Sequence, residues 1–236
     1  QGHALIFISH KLHEVQNLSD RITVMRDGRV VDTVPNAGID QRTLARMMVG
    51  RDVRLQPDRP PVQAGTVKLR LRDLTVDNDQ GRPALRGVSL EVRAGEIVGI
   101  AGVSGNGQRE LAEVIAGLRP ATGGAMELDG RSIINAPVAE RLQAGTLVIP
   151  EEPTKHGTIG AFSVDENAIL QTHGQEPFAR HIFFDFGAIA RHTTDLIRRF
   201  NIKTPSAETP VKNLSGGNIQ KLILARELSR RPVLLI

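Results

Sequence analysis

A strand that breaks directly into glycines and then into a helix leaves few folds open to a chain. Residues 96–101 are a short, mostly apolar run that passes without a spacer into Gly102-Val103-Ser104-Gly105-Asn106-Gly107. Leu111, Val114, Ile115 and Leu118 follow at helical spacing, which predicts strand, loop and helix in that order. Glycines let the backbone wrap closely around a ligand, and successive N–H groups at a helix N-terminus face an anion. The loop therefore reads as a phosphate cradle, although a tight strand-to-helix turn that binds nothing is spelled in the same way.

Around this loop the pattern alternates between strand and helix. Residues 67–76 and 84–92 alternate apolar and polar side chains, as half-buried strands do, and residues 125–128 and 146–149 predict two more. Helices are expected over 164–170, 186–200 and 217–230, and residues 233–236 form another apolar run of the buried-strand type. The fold class that follows is α/β, of the nucleotide-binding kind. Upstream, residues 4–8 predict a buried parallel strand, with Ser9 as N-cap of a helix carrying Leu12, Val15 and Leu18. Residues 21–25 and 30–34 flank Asp27-Gly28 and predict a hairpin, and Asp40 caps a helix running to Val49. Pro57, Pro60 and Pro61 sit among polar residues in a linker. The expected organisation is a first part over 1–50, a linker over 51–65 and a second part over 66–236. The abrupt apolar starts and stops at both ends predict a segment of a longer polypeptide.

Composition narrows the partners. Among 236 residues, 40% are apolar and 24% charged, which suits a globular chain and excludes a disordered one. Cysteine is absent, so disulfides and thiolate metal sites are excluded, as fits a reducing cytosol. No stretch approaches the roughly 20 apolar residues of a transmembrane helix, and the first residues lack the basic region and cleavage site of a signal peptide. The net charge of +4 is spread along the chain and admits anionic partners, while the lack of Trp and Tyr leaves few stacking platforms for nucleic acid.

Two departures and one further motif sharpen the reading. A complete P-loop places Lys and then Ser or Thr after its last glycine. Here Gln108 and Arg109 stand there instead. Gln108 brings no cation to the phosphates, and Arg109 has no hydroxyl for magnesium, so the cradle is kept while the catalytic apparatus is lost. The second motif is Leu214-Ser215-Gly216-Gly217-Asn218-Ile219-Gln220-Lys221, opening a helix through Leu222, Ala225 and Leu228. It sets a hydroxyl and bare N–H groups at a second helix N-terminus.

The two motifs together resemble the P-loop and signature of ATP-binding-cassette (ABC) ATPases, with mild departures at Asn218 and Ile219. That resemblance implies a P-loop NTPase of the ABC type, with an antiparallel β subdomain and a helical subdomain carrying the signature. By the same resemblance, residues 7–12 are similar to the H-loop of a preceding nucleotide-binding domain, with His10 as its switch histidine; an ordinary strand-end histidine is the plain alternative. Residues 21–34 resemble the closing hairpin of that domain. Residues 148–152 stand where the family has its Q-loop, with Glu151 in place of Gln, although Glu151 and Glu152 also read as solvated loop acids. Residues 232–236 resemble the approach to Walker B, and no aromatic residue between 67 and 90 matches the one that stacks on adenine.

Two cassettes in one polypeptide, with Gly105-Asn106-Gly107-Gln108-Arg109-Glu110-Leu111 in the second, resemble the tandem ATPase subunits of bacterial simple-sugar and nucleoside importers. In such a pair each ATP lies between one domain's P-loop and the other's signature. The resemblance implies that His10, Ser215, Gly216 and Gly217 serve one catalytic site. Gly102, Ser104, Gly105, Asn106, Gly107, Gln108, Arg109 and Glu151 would line a degenerate site, and Gln220 joins the nucleotide-contacting set. Implied cofactors are ATP and Mg2+, the metal mainly at the first domain's site, with no metal ligands expected in this chain. Implied partners are membrane permease subunits, contacted near residues 162–170, the first nucleotide-binding domain and, indirectly, an extracytoplasmic solute-binding protein. No nucleic acid is expected, and the place is the cytoplasmic face of the plasma membrane. Two other readings stand beside this one: a non-catalytic nucleotide-binding regulatory module, and a soluble cassette ATPase acting on ribosomes or nucleic acid.

Overall fold

The computed structural model describes residues 2–26, 28–52, 62–103 and 105–236. Asp27, Ser104 and the linker prolines Pro57, Pro60 and Pro61 lie outside the described residues. The chain divides into two compact units, Gln1–Pro61 and Val62–Ile236.

In the first unit, helix α1 (Leu12–Leu18) precedes strands β1 (Arg21–Arg26) and β2 (Arg29–Pro35) and helix α2 (Gln41–Val49). The strands form the expected antiparallel hairpin, with Ile22 opposite Val34 and Val24 opposite Asp32. Ile22, Val24 and Leu44 make a small core under this hairpin. Asp40 caps α2 as expected, accepting the Thr43 N–H at 2.8 Å, and Gly50 ends the helix in the left-handed conformation. The start of the unit differs from expectation. Residues 4–8 form no strand, and Leu5, Ile6 and Ile8 are exposed. An apolar run demands a partner strand but cannot supply one, and among the described residues none pairs with it. The N-cap of α1 is Lys11, not Ser9; the Ser9 hydroxyl instead accepts the Lys11 N–H and donates to Glu14.

The second unit begins with β3 (Val67–Asp77) and β4 (Pro83–Arg93), followed by α3 (Gln108–Ala116), β5 (Gly123–Leu128) and β6 (Arg131–Ser132). These strands make one antiparallel sheet in the order β4-β3-β5-β6. Leu69, Leu71, Leu74 and Val76 of β3, with Met126 and Leu128 of β5, form one core with Leu111, Val114 and Ile115 of α3. The stripe read from the sequence thus holds α3 on the sheet, although Leu118 lies beyond the helix and is exposed. Arg141, on α4 (Val138–Gln143), closes the far end of α3. Its Nη1 donates to the Val114 and Ile115 carbonyls at 2.6 and 3.0 Å, adding to the longer bond that Val114 accepts from the Gly117 N–H at 3.3 Å.

Strands β7 (Thr146–Leu147) and β10 (Leu234–Leu235) form a short parallel pair. The strand expected over 96–101 does not form, and Ile97 and Ile100 are exposed. The reason is the same as at residues 4–8: a parallel strand exists only through its neighbours, and none of the described residues flanks this one.

Between β7 and β10 lies a helical part with its own core. A single π turn (Pro153–Gly157) leads to α5 (Val164–Ala168), a small hairpin of β8 (Ala179–Arg180) and β9 (Phe183–Phe184), α6 (Phe186–Phe200) and α7 (Gly216–Ser229). Ser163 and Glu166 close a capping box on α5, and Asp185 caps α6 through the Ala188 N–H. Val164, Ala168, Leu196, Val211, Leu214, Leu222 and Ile223 are among the buried side chains of this core. The architecture is therefore an antiparallel β part carrying the glycine loop's helix and a helical part carrying residues 214–221.

Candidate functional site

The glycine loop keeps its shape through two left-handed positions, of which one also has no room for a side chain. Gly107 has φ of 99°, and a Cβ there would stand 2.8 Å from Leu85 Cδ2 and 3.0 Å from the Ala84 carbonyl oxygen. Gly105 is also left-handed, at φ 89°, but faces open space. At Gly102 a Cβ would run into the side-chain amide of Gln108.

That last contact reveals what Gln108 does. Its amide folds back into the loop, with Nε2 donating to the Val103 carbonyl at 3.1 Å and Oε1 accepting the Asn106 N–H at 3.2 Å. One donor of the cradle is thus taken by the chain itself. Arg109 points elsewhere: its Nε donates to Glu113 one turn along α3, at 2.6 Å. Arg119 holds the other Glu113 oxygen at 2.8 Å and reaches Asp79 at 2.6 Å. Burial alone would raise the Glu113 carboxyl, but its bonds from Arg109 and Arg119 outweigh burial and hold it below the ordinary range. Arg109 is accordingly fixed as a surface ion-pair member, and no hydroxyl stands at its position for a metal. Among the described residues no group of three or more His, Asp or Glu could hold a metal ion. The residues present fit a phosphate only once the Gln108 amide has swung aside, and position 109 offers nothing to Mg2+.

The second motif is open. Ser215 is the N-cap of α7, with extended φ and ψ, yet its side chain caps no helix N–H. Asn218 and Ile219 send their backbone N–H groups to the Ser215 carbonyl, at 2.9 and 3.0 Å. No described residue accepts from the Gly216 or Gly217 N–H, and Ser215, Gly216 and Gly217 are all exposed. A hydroxyl and two free N–H groups at the positive end of a helix are suited to an anion. The Ser215 Oγ accepts from Asn218 Nδ2 at 2.9 Å, while Asn218 Oδ1 accepts the Lys203 N–H at 2.9 Å. In the sequence Asn218 stands out only as a departure from a motif. Its signal was the spacing of a capping box, a Ser followed three residues later by a polar side chain.

The remaining candidates are placed as follows. Glu151 and Gln220 are exposed, and neither makes a side-chain hydrogen bond with a described residue. Glu152, next to Glu151, pairs with Lys155 in the π turn. His10 is exposed at the head of the first unit. The loop at 102–107 leads into the β-sheet core while residues 215–217 lead into the helical core, and no hydrogen bond or ion pair between described residues joins the two. Beside the apolar core, a buried polar cluster that no sequence motif marks also joins α7 to the rest of the helical part. Arg226 donates to Glu227 at 2.8 Å and to the Gly157 carbonyl at 2.9 Å. Asn167, fully buried, ties Ile159, Phe162 and Ser163 together.

Comparison with known proteins agrees with this geometry. Residues 85–236 match the family described as ABC transporter. The chain is 44% identical over its whole length to the glucose import ATP-binding protein TsgD13 of Haloferax volcanii, of which it spans 43%. It is 37% identical, again over its whole length, to the nucleoside import ATP-binding protein NupA of Lactococcus lactis subsp. cremoris, of which it spans 47%. The chain thus spans less than half the length of these curated relatives. A solved dimeric ATP-binding cassette, MJ0796 in a post-hydrolysis state with ADP and Pi, aligns with a TM-score of 0.57 at 21% identity over 70% of each chain, which shows the fold. A nucleotide-free cassette aligns with a TM-score of 0.58 at 22% identity, covering 71% of this chain and 66% of that one. No helix among the described residues is long and apolar enough to cross a membrane. On the family matched over residues 85–236, the chain belongs to the ABC transporter family.

Proposed function

We propose that this chain is part of the ATP-binding and ATP-hydrolysing subunit of an importer for nucleosides or simple sugars. In this reading residues 1–50 close a first nucleotide-binding domain, residues 51–65 link, and residues 66–236 belong to a second. The observation that carries it is the open start of α7: an exposed Ser215 and two N–H groups without partners, at the head of a helix inside the matched region. These groups stabilise negative charge on the transferring phosphate of an ATP held by the first domain's P-loop. His10, at the end of the first domain, orients the γ-phosphate of the same ATP. Mg2+ belongs mainly to that site.

The loop at 102–107 serves the opposite, degenerate site. The Gln108 amide fills part of its cradle, and Arg109 is committed to Glu113. Closure of the two domains on ATP drives membrane permease subunits, which places the protein at the cytoplasmic face of the membrane. Of the stretch near residues 162–170, Phe162 and the neighbouring Ile159 are exposed, while Val164, Ala168 and Ile169 are buried, so the contact falls on the former pair. An extracytoplasmic solute-binding protein acts on the same permease. The similarity to the glucose import protein TsgD13 and the nucleoside import protein NupA supports the solute classes.

One observation favours a second reading. The self-satisfied Gln108 loop suits a non-catalytic nucleotide-binding module that regulates another protein. The deciding experiment measures ATP turnover by the ATPase assembled with its first domain and permease, with His10→Ala and Ser215→Arg made singly and together. Each single change is expected to abolish most activity, and the pair to add nothing. Full activity in either single variant would overturn the assignment, and an inert wild type would favour the regulatory module.

A further inference from the structure

We propose that Asn218 is a positioning residue that turns the Ser215 hydroxyl into a committed donor toward the nucleotide phosphate. The proposal deepens the reading above and rests on Ser215 facing an ATP. It starts from an amide whose orientation chemistry fixes. The Lys203 backbone N–H can only donate, so the Asn218 atom 2.9 Å from it must be the carbonyl oxygen. The NH2 group is then the one facing Ser215, and it donates to Oγ at 2.9 Å.

A serine hydroxyl has one proton and two lone pairs. With one lone pair occupied by Asn218, the proton cannot lie along that direction and is left to point away from it, where no described residue accepts it. Two further features keep it there. Ser215 makes no side-chain cap of its own helix, so the hydroxyl is not drawn toward a helix N–H. The Asn218 and Ile219 N–H groups are both satisfied by the Ser215 carbonyl, so neither competes for Oγ. The hydroxyl, Gly216 N–H and Gly217 N–H then form a set of three donors, and none of them has to give up an internal partner when phosphate charge develops.

The test is a double-mutant cycle on steady-state ATP turnover by the ATPase assembled with its first domain and permease. Asn218→Asp keeps the shape and the bond from Lys203 but presents an oxygen to Ser215, drawing the hydroxyl proton inward. Asn218→Leu removes the donor without adding charge. With Ser215 present, Asn218→Asp is expected to lower kcat by about tenfold, the cost of losing one hydrogen bond to a charged group, and Asn218→Leu by less. KM is expected to change little in both. In the Ser215→Ala background both substitutions are expected to cost less than about twofold. Equal losses in the two backgrounds would mean that residue 218 acts by charge or by folding, and would overturn the proposal. Wild-type kcat in Asn218→Asp, with Ser215→Ala impaired, would also overturn it while leaving the functional reading intact. Full activity in Ser215→Ala would overturn the reading on which the proposal rests.

Discussion

The Gln108 side chain lies inside the loop that precedes it, its amide nitrogen 3.1 Å from the Val103 carbonyl oxygen. A lysine at this position would reach outward to a phosphate; the glutamine reaches inward to the backbone. In the proposed cradle, two neutral hydrogen bonds, to Val103 and from Asn106, compete with a ligand. Each is worth about 0.5–1.5 kcal/mol. Gln108→Lys removes that competition and supplies a cation whose bond to phosphate contributes about 1.5–3 kcal/mol. We therefore expect Gln108→Lys to tighten the binding of a fluorescent ATP analogue to this chain by at least about tenfold. Adding Arg109→Thr restores a hydroxyl and is expected to make that binding depend on Mg2+, read by titration with and without EDTA.

The loop's glycines are not equivalent, and their differences are measurable. A side chain at Gly107 meets both a left-handed backbone and the Ala84 carbonyl, whereas one at Gly105 meets only the backbone strain. A non-glycine residue held in that region costs about 1–3 kcal/mol. Gly105→Ala should lose stability within that range, and Gly107→Ala should lose more, because overlap with Leu85 and Ala84 adds to it. Thermal melts of the two variants side by side test the order; equal melting temperatures would contradict the packing at Gly107.

Much of this arrangement is written locally in the sequence. Asp185 begins α6 and Phe200 ends it within the expected bounds, because a capping carboxylate and an amphipathic stripe are both short-range signals. The alternation in β3 and β4 likewise survives, since each buries one face against α3. Residues 4–8 and 96–101 fail for the opposite reason. Their apolar character signals a parallel strand, but such a strand is made by partners distant in sequence, and the run itself does not say whether they are present. At the candidate site, the glycines and the N-terminus of α7 were legible as residue types. The inward fold of Gln108 and the hand-off from Lys203 through Asn218 to Ser215 were not, because they depend on which way a single amide points.

Burial of His192 predicts a pH response of the helical part that weakens it in acid. The His192 ring packs 4.9 Å from that of Phe178, and burial lowers its pKa below 6.5 even though Asp195 pulls the other way; Arg199 adds to the lowering. The fold therefore prefers the neutral imidazole, while the unfolded chain titrates at the ordinary value. The His192 contribution is complete above that value and shrinks as the pH falls through it toward the folded-state pKa. His192→Gln removes the group, so its stability should fall less steeply than that of the wild type between about pH 7.5 and pH 5.5. Urea midpoints across that range check the claim, and parallel curves would show that His192 is not held neutral.

The helical part also encloses a buried ion pair on α7. Arg226 and Glu227 are adjacent in sequence and are 4% and 0% exposed, so each lacks water and depends on the other and on the carbonyls around it. Glu227 Oε2 has no hydrogen-bond partner among the described residues, and the Arg230 guanidinium nitrogen 3.6 Å away is its nearest compensation. Arg226→Met leaves that carboxylate only the longer Arg230 contact and also frees the Gly157 carbonyl, which joins α7 to the π turn. Breaking one side of a buried pair typically costs about 3–5 kcal/mol, because an unpaired charge remains. Replacing both sides by apolar residues of similar size removes the stranded charge, so Arg226→Met with Glu227→Leu should recover much of the loss. Urea unfolding of the single and double variants separates these outcomes. A double variant no more stable than Arg226→Met alone would mean that the bonds from Arg226 to the Gly157 and Asn167 carbonyls, at 2.9 and 3.4 Å, outweigh the charge of Glu227 in fixing α7.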